Sequence, residues 1–150
     1  MRGGYIHNRV LLDHIVKKAS QFGATVCREA SIEIGEKVRF GDLLIQMGSQ
    51  KILVEAEMSS KRIENDLAKA AALDVCELWL VAPNPRVVRS IRRKLSQMSI
   101  MQGIPGLFIL LLPQALQRLE HLFELISFPN AETEKKRKWE TIITKGQYNG

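Results

Sequence analysis

The stretch Leu107-Phe108-Ile109-Leu110-Leu111-Leu112 is apolar from end to end, with no polar residue to set on a solvent face. It is the longest apolar run in the chain, and it is far shorter than the roughly 20 residues a membrane-spanning helix needs. A short continuous run of this kind is expected as a strand covered on both faces, which requires a sheet with helices on either side. The rest of the chain supplies those helices. Val10, Leu11, His14, Ile15 and Lys18 recur at helical spacing after Asn8, a residue suited to an N-cap, and Gly23 suits the end of that helix. Ser59 or Ser60 is placed to cap a second helix, with Ile63, Leu67, Ala70 and Ala71 on its inner side. A third over Arg86 to Ser99 turns Val87, Val88, Ile91, Leu95 and Met98 inward, and a fourth over Pro113 to Ile126 carries Leu116, Leu119, Leu122, Phe123 and Ile126.

Strands fill the intervals. Ala24 to Ile34 is rich in β-branched residues, and Gly35-Glu36-Lys37 reads as a turn. Phe40 to Met47, the turn Gly48-Ser49-Gln50 and Lys51 to Met58 form a hairpin. Glu77 to Ala82 is a strand stopped by Pro83-Asn84-Pro85. The order helix, three strands, helix, strand, helix, strand, helix predicts an α/β fold, a central mixed β-sheet of about five strands flanked by helices. Its 150 residues fit one domain, taken as residues 1–130, with residues 131–150 a basic tail holding Lys135-Lys136-Arg137-Lys138 and Trp139.

Composition narrows the function. Hydrophobic residues at 45% and charged residues at 25% are those of an ordinary globular protein. The 22 Lys and Arg against 16 Asp and Glu, net +6, favour an acidic partner such as nucleic acid, or serve solubility. Cys27 and Cys76 lack zinc spacing and are expected as small buried residues in a reducing compartment. Met1 to Asn8 has no apolar signal core, so a soluble cytoplasmic protein without membrane contact is expected. There is no Ser-His-Asp spacing, Walker loop or dinucleotide fingerprint.

The chemistry is expected in the third strand. Side chains alternate across a strand, so in Lys51-Ile52-Leu53-Val54-Glu55-Ala56-Glu57-Met58 the residues Leu53, Glu55 and Glu57 share one face. Two carboxylates on an otherwise apolar strand are costly to bury unless a cation offsets their charge. Asp42, on the neighbouring arm of the hairpin, lies near their level. Three such acids form an oxygen-only site suited to Mg²⁺ or Mn²⁺. The competing reading puts Glu55 and Glu57 on the solvent face of an edge strand and makes Asp42 a turn acid.

These residues also resemble a known family. Gly41-Asp42-Leu43, twelve residues between Asp42 and Glu55, and then Val54-Glu55-Ala56-Glu57-Met58-Ser59-Ser60-Lys61-Arg62 resemble the PD-(D/E)xK nuclease superfamily, the restriction-endonuclease-like fold. The expected order of elements matches that fold's core from about Asn8 to Leu112. The resemblance implies a metal-dependent phosphodiesterase acting on DNA, less often RNA. It implies Asp42 and Glu55 as metal ligands, with the backbone carbonyl of Ala56 as a further one. It also brings the expectation of a homodimer, since such folds often cut both strands as a pair.

The family's lysine should stand at position 57, where this chain has Glu57. Three readings follow. Glu57 binds metal or acts on the attacking water; the basic function has moved to Lys61 or Lys69; or the domain has lost activity and serves as a DNA-binding or assembly module. The catalytic set is thus expected to be Asp42, Glu55, Glu57 and Lys61, with Lys61, Arg62 and Lys69 meeting nucleic acid. Lys61, Asn65 and Lys69 make one helical stripe, and Glu29 and Glu33 of the first strand are further potential ligands. The helix bearing Arg86, Arg89, Arg92, Arg93 and Lys94 is read either as a phosphate-contacting face or as a solvated one. The second is preferred because a helix on the sheet's far side would not reach the cleft.

Overall fold

The computed structural model describes residues 2–98 and 106–127, with side chains from residue 9 onward. The elements run α1 (Arg2–Gln21), β1 (Thr25–Ile34), β2 (Lys37–Met47), β3 (Gln50–Ala56), α2 (Ile63–Leu73), β4 (Glu77–Ala82), α3 (Pro85–Met98), β5 (Leu107–Leu111) and α4 (Leu112–Ser127). The chain divides into two compact units, Met1–Leu119 and Glu120–Gly150. The sheet and the site belong to the first. Of the second, the described part is residues 120–127, the final turns of α4. The run Lys135–Lys138 and Trp139 lie outside the described residues.

The five strands form one mixed sheet in the order β1-β2-β3-β4-β5, flanked by helices. The pairs β1–β2 and β2–β3 are antiparallel, while β3–β4 and β4–β5 are parallel. Each parallel step needs a crossover, and α2 and α3 provide the two. Two crossovers of the same hand, moving in the same direction across a sheet, lie on the same face. Accordingly Leu53, Leu78, Leu80 and Ala82 of the sheet share one core cluster with Ile63, Leu67 and Ala70 of α2 and Val87, Ile91 and Leu95 of α3. The expectation that the arginine-bearing helix lies on the far side is therefore corrected: α3 stands beside α2, on the face that carries Leu53.

The opposite face presents Ile52, Val54, Trp79 and Val81, all buried. Helix α1 lies against β1, β2 and β3. The first part of α4 is tied to β4 by Arg118, whose Nη2 and Nε donate to the Glu77 carboxylate at 2.7 and 3.0 Å, while Trp79 Nε1 donates to the same group at 2.9 Å. That buried acid is fully partnered and takes no part in the site.

Several local expectations change. β5 is half-buried along its length because it is an edge strand, not one enclosed on both sides. Cys27 and Cys76 are exposed, the first on edge strand β1 and the second just before β4. Asn8 lies inside α1, which begins at Arg2, and Val10 faces solvent. The N-cap of α2 is Arg62 with no side-chain cap; Ser59 Oγ instead accepts the Lys61 N–H at 3.3 Å. Ala71 is exposed. No helix among the described residues is long and apolar enough to cross a membrane.

Candidate metal centre

The site begins at the carboxyl end of β3. This strand is central, paired to β2 on one side and β4 on the other, and α2 packs on the face that Leu53 and Glu55 share. Glu55 is 3% exposed and Glu57 5%. Glu57 stands one residue past the strand, where its N–H donates to the Val81 carbonyl at 2.9 Å and extends the pairing with β4.

The third member comes from α2. Asp66 is completely buried. It follows Ile63 by three residues and precedes Ala70 by four, so it lies on the apolar stripe that α2 turns to the sheet. Glu55, Glu57 and Asp66 each offer a carboxylate oxygen within 4.8 Å of the others, an arrangement that could hold a metal ion. Oxygens on opposite sides of one Mg²⁺ ion would lie about 4.2 Å apart, so the cluster is of ion-binding size. Sequence reasoning missed Asp66. The signal was present: a carboxylate set among Ile63, Leu67 and Ala70 on a buried helical face.

Asp42 is brought beside Glu55 by two hydrogen bonds. Its backbone N–H donates to Glu55 Oε1 at 3.3 Å, and its Oδ2 accepts the Ala56 N–H at 2.8 Å. The expected pair Asp42 and Glu55 is thus brought together, with Ala56 contributing its N–H to Asp42. Gly41 makes the approach possible. A Cβ there would stand 2.7 Å from Leu53 Cδ1 and 3.3 Å from Glu55 Oε1.

Among the expected basic residues, Lys69 reaches the cluster. Its Nζ lies 3.4 Å from Glu55 Oε1 and 3.8 Å from Asp66 Oδ1, with the side chain 12% exposed. Lys61 and Arg62 are exposed, as is Asn65. Glu29 and Glu33 are exposed on β1 and stay outside the cluster.

The electrostatics are those of an unfinished site. Lys69 supplies one positive charge against the three acids of the cluster, even before Asp42 is counted. Burial pushes Glu55 up to about 8, with Asp42 adding to the effect. Burial likewise pushes Asp66 up to about 10, with the neighbouring Glu57 carboxyl as the next cause. Glu57 is also raised by burial, against the pull of Asp66, Arg62 and Lys69. Both oxygens of Asp66 are buried without a hydrogen-bond partner. An unpartnered buried carboxyl is costly, by about 1–3 kcal/mol or more, and calls for a ligand or a proton.

The chain matches no protein-family model and no curated protein. The site's own geometry and chemistry carry its interpretation.

Proposed function

We propose that Glu55, Glu57 and Asp66 bind one divalent cation, Mg²⁺ or Mn²⁺, and that the protein is a nuclease hydrolysing phosphodiester bonds of nucleic acid, DNA before RNA. The observation that carries this reading is Asp66. Its carboxyl has both oxygens buried with no hydrogen bond, meets the Lys69 ammonium only at 3.8 Å, and is held by a buried helical face against two other buried acids. All-oxygen donors favour hard cations over the soft ones that thiolates select. When bound, such an ion lowers the pKa of an attacking water and offsets charge on a phosphate oxygen.

The chain's own residues divide the remaining work. Asp42 fixes the end of β3 through the Ala56 N–H and orients Glu55 through its own. Glu57 occupies the position of the family's lysine and serves as a ligand. The ammonium that position lacks is supplied by Lys69, which reaches the same acids from α2. Lys61 and Arg62 are exposed at the start of α2, and in this reading they meet the substrate backbone.

Cleavage of plasmid and linear DNA with Mg²⁺, Mn²⁺ or EDTA tests the reading. Cutting that requires the divalent ion and is abolished in Glu55→Ala and in Asp66→Asn is expected. A second reading, an inactive member of the same fold that binds nucleic acid, is favoured by the glutamate at position 57. Metal uptake and DNA binding without cleavage under either ion would establish it.

A further inference from the structure

We propose that the exposed arginine face of α3, with Lys61 and Arg62 beside it, is a binding surface for a nucleic-acid backbone. Helix α3 is PRVVRSIRRKLSQM, which contains no acid. Val87, Ile91 and Leu95 are buried in the core, which leaves Arg86, Arg89, Arg92 and Arg93 exposed. None of these four arginines has an ion-pair partner among the described residues; only Lys94 meets an acid, Glu64 of α2, at 3.7 Å. Four unneutralised guanidinium groups on one helix repel each other, and a polyanion relieves that repulsion.

The fold joins this face to the acid cluster. α3 follows β4, whose Val81 is paired to Ala56 and accepts the Glu57 N–H. The helix therefore starts at the strand ends where the acids lie. Ser90 Oγ and Ser60 Oγ lie 3.3 Å apart, which holds the segment preceding Lys61 and Arg62 against α3. From Arg86 to Arg93 the helix rises about 10 Å, at roughly 1.5 Å per residue. Three base-pair steps along a duplex axis cover about the same length, at roughly 3.4 Å of axial rise each. A bilayer is a poorer match, because membrane-surface helices insert an apolar face and that of α3 is already buried in the core. This surface shares with the proposed function only its nucleic-acid partner; it does not depend on cleavage.

The test is a fluorescence-anisotropy titration of the full chain against labelled mixed-sequence duplex DNA. It is run in EDTA, between about 50 and 200 mM salt. In Arg86→Gln/Arg89→Gln/Arg93→Gln the affinity at the lower salt is expected to fall at least about tenfold, and the log–log salt slope to become shallower by about 2.7, or 0.9 per lost phosphate contact. The corresponding Arg→Lys triple variant keeps the charge and is expected to keep the slope. Mn²⁺ uptake by the Gln variant is expected to match the wild type, which shows that the fold and the acid cluster are intact. An unchanged slope and affinity in the Gln variant would overturn the proposal. So would a wild-type chain that ignores DNA, or one that binds phosphatidylserine vesicles instead. Loss of binding in the Gln variant, with no cleavage by the wild type under Mn²⁺, would leave this surface standing and remove the nuclease.

Discussion

Asp42 Oδ2 accepts the Ala56 backbone N–H at 2.8 Å, so a side chain of β2 stands in for a main-chain partner where the regular β2–β3 pairing ends at Leu43 and Val54. Ala56 is buried, so its N–H has no solvent alternative. Asp42→Ala should therefore destabilise the fold by about 1–3 kcal/mol, the usual cost of orphaning a buried donor. Asp42→Asn keeps an acceptor oxygen and should cost less. Urea unfolding in EDTA compares the two; equal losses would mean that the charge of Asp42, not its acceptor, holds the strand.

Asp66→Asn separates stability from function. Without metal the native carboxyl is buried without a hydrogen bond, among other acids, so the amide should leave the melting temperature in EDTA unchanged or higher. Wild-type protein should gain about 2.7 kcal/mol when the free cation is a hundredfold above its Kd. The variant should lose that gain. Thermal melts with and without MnCl₂ supply both comparisons.

The pH dependence has a definite sign. Glu55 is raised to about 8 from 4.5, and Asp66 to about 10 from 3.8. A folded state that holds protons more tightly than the unfolded chain is most stable at low pH and loses stability as pH rises. In EDTA the cluster's contribution should therefore decline from about pH 3.8 upward, through pH 8 for Glu55 and through pH 10 for Asp66. Metal ligation requires the deprotonated acids, so the stabilisation by Mn²⁺ should grow across the same window. Urea melts at several pH values check both trends, and a cation effect that weakens with rising pH would argue against carboxylate ligation.

Lys69 and Lys61 should behave differently. Lys69→Met removes the ammonium beside Glu55 and Asp66, and kcat for DNA cleavage should fall by about a hundredfold, the scale for losing one electrostatic stabiliser. Lys61→Met removes an exposed charge and should act mainly on KM. Steady-state cleavage kinetics distinguish the two; a larger kcat loss at Lys61 would move the basic role to the start of α2.

The local patterns were legible in the sequence. Strand parity placed Glu55 with Leu53, and the order of apolar segments predicted the mixed five-stranded sheet that is observed. What local periodicity cannot give is which strand is central and which is at the edge. β5 is as apolar as a buried strand yet lies at the edge, and Glu55 looks like an edge acid yet lies at the centre. Asp66 is not marked by periodicity alone, because a single acid on the helix α2 stripe of Ile63, Leu67 and Ala70 reads as a break in that stripe until the sheet brings Glu55 and Glu57 against it. The place of α3 depends on crossover handedness, and applying that rule to two successive parallel steps puts it beside α2.

Anomalous diffraction from crystals soaked in Mn²⁺ would locate the cation directly. One manganese peak is expected, with an oxygen from each of Glu55, Glu57 and Asp66 within about 2.0–2.6 Å. A peak elsewhere, or three carboxyls closed on one another around protons with no peak between them, would contradict the shared metal site.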